Sequence, residues 1–278
     1  MIDALEQHWR EYLIEAALLG AFMVAACAFG VILEPPESPV HVAVPDPRVR
    51  RALFGMGMSL TAIALIYSRW GKRSGAHLNP SVTLAFLSLR RVKWPDAAFY
   101  VAAQFLGAVA GVLVAWGLLG ARLSHPPVDF VTTRPGDPGQ AVAFLAEFVI
   151  SFVLMTVVLA VSASRRMRLT GLSAGALIFV YITFEAPLSG MSMNPARSFA
   201  SALAARDLSA LWIYFLAPPL GMLLAAAMFR HHRVAGCAKL DHPPDVPCMF
   251  CGQGMPTVAE RVAAGRASRQ PRSEAQNR

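Results

Sequence analysis

The sequence predicts an all-α membrane protein: six transmembrane helices plus two re-entrant half-helices in inverted repeats. Three observations carry this. Of 278 residues, 55% are hydrophobic and 15% charged, where soluble domains carry roughly 25% charged residues. Six charge-poor runs approach the roughly 20 residues that cross a bilayer core. Between those runs fall two polar stretches, residues 74–83 and 189–198, each with Ser-Gly, three residues and Asn-Pro.

In chain order, residues 1–11 read as a cytoplasmic N-terminus and 12–33 as the first span, with Glu15 its only charge before a Pro-rich loop over 34–51. The run after Tyr12 is too long for the core of a cleavable leader, so none is expected. Residues 52–68 make the second span, followed by the basic turn Arg69-Trp70-Gly71-Lys72-Arg73. From Asn79 to about Leu89 the chain is apolar but only half a span long, which predicts a helix that enters and returns on one side. Residues 97–121 form the third span and 140–163 the fourth, with Glu147 its only charge. Residues 169–187 form the fifth span, a second half-helix runs from Asn194 to about Ala205, and 208–229 form the sixth. Repeat one is thus 12–121 and repeat two 140–229. Three spans per repeat is an odd number, so the second is inverted, an arrangement that puts a binding or permeation site near the bilayer midplane.

With both termini in the cytoplasm, that side holds 18 of the 25 Lys and Arg residues, the orientation favoured by the positive-inside rule. Without the tail the split is 10 to 7. The net charge of +8 therefore reflects flanks of apolar spans, and no nucleic-acid partner is expected.

Asn is a preferred N-cap and Pro fits the first helical turn. Asn79-Pro80-Ser81 and Asn194-Pro195-Ala196 each read as the start of a half-helix, and inversion makes the starts meet. Each Asn oxygen is then tied to backbone, with its NH2 free to face a pore. Two helix N-termini contribute roughly half a positive charge each, opposing cations and protons. A midplane water accepts from both amides, which breaks a proton wire. Such a pore passes neutral molecules.

These two motifs, Arg197 three residues after the second Asn, the Ser-Gly-Ala-His lead-in to the first, and the early Glu15 and Glu147 resemble the aquaporin (major intrinsic protein) family over about residues 12–229. The first motif departs from the family's Asn-Pro-Ala in having Ser81. The resemblance implies a homotetramer with one pore per subunit, no cofactor for transport, and a plasma (inner) membrane location. It implies a selectivity filter of Arg197, Met191, Ile182 and a span-two residue, Met56 or Ser59 depending on an insertion in the basic turn. Without a filter His, the ring admits glycerol, urea or ammonia as well as water; Ser198 and the Tyr214-Phe215 pair lean toward water. It further implies that Glu15 and Glu147 brace the half-helix loops, with His77 beside them in the vestibule. Glu185 reads as a solvated vestibule charge, and Gly20, Gly30, Gly107 and Gly221 as close-packing positions between helices.

The tail over 230–278 is basic and partly disordered by composition, suited to anionic lipid. Its Cys237, His242, Cys248 and Cys251 offer four zinc ligands, a redox pair, or incidental cysteines. No carboxylate pair or Ser/His set has catalytic spacing, so an enzyme is not expected. The functional reading is a passive channel for water and small neutral solutes. The alternative is a non-conducting structural or sensor protein on the same scaffold, with a metal-binding tail.

Overall fold

The computed structural model describes residues 1–230, 238–240, 248 and 250. Among them are six helices long and apolar enough to cross a membrane, and no strand. Helix α1 is Ile2–Leu33, α2 Pro47–Tyr67, the half-helix α3 Pro80–Ser88, and α4 Trp94–Leu119. The second half repeats the pattern with α5 Gln140–Ser162, α6 Thr170–Val180, the half-helix α7 Pro195–Ala205 and α8 Leu211–Phe229. The first span differs from expectation: α1 starts at Ile2, so residues 2–11 extend it rather than preceding it. The fifth span also differs, since α6 passes into a π-helical turn at Tyr181–Glu185 and a last turn at Ala186–Ser189.

Starts and stops follow local chemistry. Asp46 and Asn79 cap α2 and α3 by accepting from Arg48 N and Ser81 N, and proline follows each cap. The basic turn folds as a helix of its own, Arg69–Ser74, ending at Gly75 with φ +95°. The α5 helix starts without a side-chain cap, so membrane burial and packing set its position.

Small residues let the long helices cross closely. A Cβ on Gly107 of α4 would lie 2.1 Å from the Ala16 carbonyl oxygen of α1. The inverted counterpart, Gly221 of α8, would put one 2.3 Å from the Phe148 carbonyl oxygen of α5. These crossings are backbone against backbone, the packing that membrane helices use in place of a hydrophobic drive between them. The large side chains on the outward faces, among them Leu106, Leu118, Leu145, Phe184 and Leu216, stay exposed, as lipid contact allows.

Candidate functional site

The two half-helices meet end to end inside the bundle. Asn79 Oδ1 accepts from Ser81 N at 2.8 Å. Asn194 Oδ1 accepts from Ala196 N at 3.1 Å and Arg197 N at 3.3 Å. The amide NH2 groups are not wholly free, contrary to the sequence-based expectation. Asn79 Nδ2 donates to Met193 O, and Asn194 Nδ2 donates to Leu78 O, each at 2.7 Å. Each motif thus bonds the loop before the other. One N–H of each amide is left for the cavity that both asparagines line. Pro80, Ser81, Pro195 and Ala196 are buried behind them.

The loops leading to the asparagines need support, because their backbone is strained. Ala76 and Leu78, and at the same offsets Met191 and Met193, have φ between 48° and 54°, a left-handed region that costs a non-Gly residue roughly 1–2 kcal/mol. Two buried carboxylates hold them there. Glu15 accepts from His77 N at 3.0 Å, Leu78 N at 2.7 Å, Ser74 Oγ at 2.7 Å and Gln104 Nε2 at 2.9 Å. Glu147 accepts from Ser192 N at 2.6 Å, Met193 N at 2.7 Å and Ser189 Oγ at 3.0 Å. Two tyrosines complete the pairing: Tyr100 Oη donates to Ser74 O and Tyr214 Oη to Ser189 O. The imidazole of His77 stacks on Phe86 at 5.1 Å and meets Thr83 Oγ1 at 3.1 Å.

A cavity of about 470 Å³ passes this junction. One stripe of its wall comes from α2, where Arg51, Phe54, Met58 and Ala62 recur at helical spacing. Ile182, Met191 and Arg197 line it as well. Met56 does not: it is 45% exposed on the outward face of α2. Ser59 is buried against Gly175 and is not among the lining residues. From α2 the apolar lining is instead Phe54 and Met58, the latter 2% exposed. Neither residue reached by counting across the basic turn lines the cavity: Met56 stands two residues from Met58, and at 3.6 residues per turn two residues reach the opposite side of a helix.

The model of the major intrinsic protein family matches residues 4–229. The chain belongs to the major intrinsic protein family. Among its relatives, Aquaporin NIP2-2 of Zea mays is 40% identical over 176 residues, 63% of this chain and 58% of that protein. Aquaporin NIP1-2 of Oryza sativa subsp. japonica is 36% identical over 224 residues, covering 78% of this chain and 70% of the relative. The chain thus spans less than two thirds of the length of the maize relative. In fold it is similar to the aquaglyceroporin of Plasmodium falciparum, with a TM-score of 0.65, 21% identity, and coverage of 81% of this chain and 96% of the other.

This member of the major intrinsic protein family anchors Arg197 through hydroxyls. Arg197 Nη1 donates to Thr133 Oγ1, which meets Ser198 Oγ at 2.7 Å, and Ser198 Oγ meets Ser192 Oγ at 2.6 Å. Thr133 belongs to the loop between α4 and α5, which an ion-pair cluster ties down. Arg134 bonds Asp129 at 2.6 Å and Asp207 at 2.8 Å. The guanidinium holds the Asp207 carboxyl down at about 2. Sequence reasoning missed Thr133, Tyr100, Gln104 and Met58. The shared offset of Ser74 and Ser189, five residues before each Asn, was a usable signal for the serines. Glu185 departs from the vestibule reading, because its carboxylate oxygens are shielded from solvent and it does not line the cavity.

At the end of the cavity lined by Gly75, Ala76 and His77, Ala238 and Phe250 join its wall. Of the tail's four metal-ligand candidates, Cys237, His242 and Cys251 lie outside the described residues, and Cys248 is buried. Among the described residues, no group of three or more His, Cys, Asp or Glu is placed to hold a metal ion.

Proposed function

We propose that the protein is a passive channel for water and for small neutral solutes such as glycerol, urea and ammonia, excluding ions and protons. The observation that carries this is the cavity past two facing half-helix N-termini, walled by Asn79, Asn194 and Arg197. Two helix dipoles and a guanidinium repel cations there. Met58, Ile182 and Met191 line the same cavity as Arg197 with apolar side chains, which supports passage of solutes larger than water. The names of the aquaporin relatives support the same reading. The cavity argues against the non-conducting alternative, and transport by this route requires no cofactor.

In this reading the termini and the basic turns at Arg69 and Arg165 face the cytoplasm, the protein sits in the plasma membrane, and subunits assemble as homotetramers. The exposed apolar faces of the spans supply the surface for lipid and for neighbouring subunits. A zinc ion held by Cys237, His242, Cys248 and Cys251 is a separate proposal resting on ligand type and order in the tail alone.

Stopped-flow light scattering on proteoliposomes tests the channel. Vesicles with protein are expected to shrink faster under a sucrose gradient, and to re-swell faster in glycerol or urea, than protein-free vesicles. Rates equal to those of empty vesicles for all three solutes overturn the proposal.

A further inference from the structure

The cavity wall beyond Met58 contains a second guanidinium. Arg51 lies on the same stripe of α2, seven residues before Met58, which places it roughly 10 Å further along the helix axis. Its orientation is fixed from behind. Arg51 Nε donates to Thr183 O at 3.1 Å, in the π-helical turn that carries the lining residue Ile182. That carbonyl is available because the residue four positions on is Pro187, which has no N–H to return the usual helical bond. With Nε committed to backbone, the two Nη groups of the fork remain, and Arg51 is part of the cavity wall. Its neighbour Arg50 points elsewhere: its Nη1 holds the loop by donating to Val44 O and Pro45 O.

Glu34, at the end of α1, also lines this part of the cavity. Among the described residues no ion pair joins Glu34 to Arg51. The outer vestibule therefore presents a strong donor and a strong acceptor that do not satisfy each other. A hydroxyl group both donates and accepts, so a molecule with several hydroxyls suits such a pair better than an ion of either sign.

We propose that Arg51, with Glu34, forms an entry station for neutral polyols ahead of Arg197. A polyol passing the apolar lining of Phe54, Met58, Ile182 and Met191 sheds hydration that these side chains cannot replace. Arg51 and Arg197 supply donors at two successive depths, so a three-carbon polyol exchanges water for protein in steps. Water, which travels in single file, needs the outer station less. This inference rests on the channel reading above and deepens it.

The test compares glycerol and water permeability of full-length protein in proteoliposomes, for wild type, Arg51→Met, Arg51→Gln and Arg51→Lys. Gln retains an amide donor for Thr183 O but lacks the fork, so it separates bracing from solute contact. The glycerol-to-water ratio is expected to fall about tenfold in the Met and Gln variants, the worth of one charge-assisted hydrogen bond. Water permeability falls less than glycerol permeability, and Lys recovers part of the ratio. An unchanged ratio in Arg51→Gln overturns the station, as does an equal loss of water and glycerol flux in all three variants. A wild type that passes water but not glycerol overturns the polyol class and leaves the channel intact. Loss of both fluxes in wild type fails the channel reading itself.

Discussion

Ser81 illustrates what one side chain costs at the junction. It stands where the family has alanine, is fully buried, and its hydroxyl has no hydrogen-bond partner among the described residues. A buried unsatisfied hydroxyl costs about 1–3 kcal/mol. Ser81→Ala removes that cost without altering the Asn79 cap, which uses the backbone N–H of residue 81. The thermal midpoint of detergent-purified Ser81→Ala is therefore expected to rise, with water permeability unchanged. A midpoint at or below wild type means that the hydroxyl is satisfied, and the cost does not exist. The contrast with Glu15 is instructive. That carboxylate is equally buried but accepts from four donors, and buried charge is tolerable when its lone pairs are filled.

At the scale of elements, the six spans were legible because each is a long apolar run, and the half-helices because Asn-Pro is a start signal that works in isolation. Helix rotation was not legible. The choice between Met56 and Ser59 turned on the Arg69–Ser74 helix, whose turns sequence spacing cannot register. The π-helical turn that carries Ile182 had only Pro187 as a trace, and the tie from Thr133 to Arg197 joins loops with no shared pattern. Gly107 and Gly221 were legible as close-packing positions, and the geometry now assigns a sign to their substitution. A methyl at Gly107 meets backbone at 2.1 Å, while one at Gly117 of the same helix meets nothing within 4 Å. Gly107→Ala is expected to lower the thermal midpoint by forcing α1 and α4 apart. Gly117→Ala is expected to raise it slightly, since alanine is worth about 0.4–1 kcal/mol over glycine where the backbone accepts it. Equal midpoints for the two variants contradict the close crossing.

The whole molecule is two inverted halves whose strained loops are each braced from within and bonded from without. Glu15 and Tyr100 hold the first loop, Glu147 and Tyr214 the second. The paired bonds Asn79 to Met193 O and Asn194 to Leu78 O then close a reciprocal clasp at the centre. Each acceptor is the residue immediately before the other asparagine, at positive φ, so either bond depends on the posture of the opposite loop. Asn79→Ala removes one cap and one strand of the clasp, and it also releases Leu78 O from the position that the Asn194 amide requires. The second bond is therefore weakened by the first substitution. The effects of Asn79→Ala and Asn194→Ala on thermal stability should be non-additive, with the double variant losing less than the sum of the singles. Residues sharing one network couple by about 0.5–3 kcal/mol. The comparison pair is Asn79→Ala with Gly117→Ala, an open position that touches neither clasp nor brace, and their effects should add. Additive losses in the asparagine pair would mean that the two half-helices are held independently by their own glutamates, and that the clasp contributes nothing to joining the repeats.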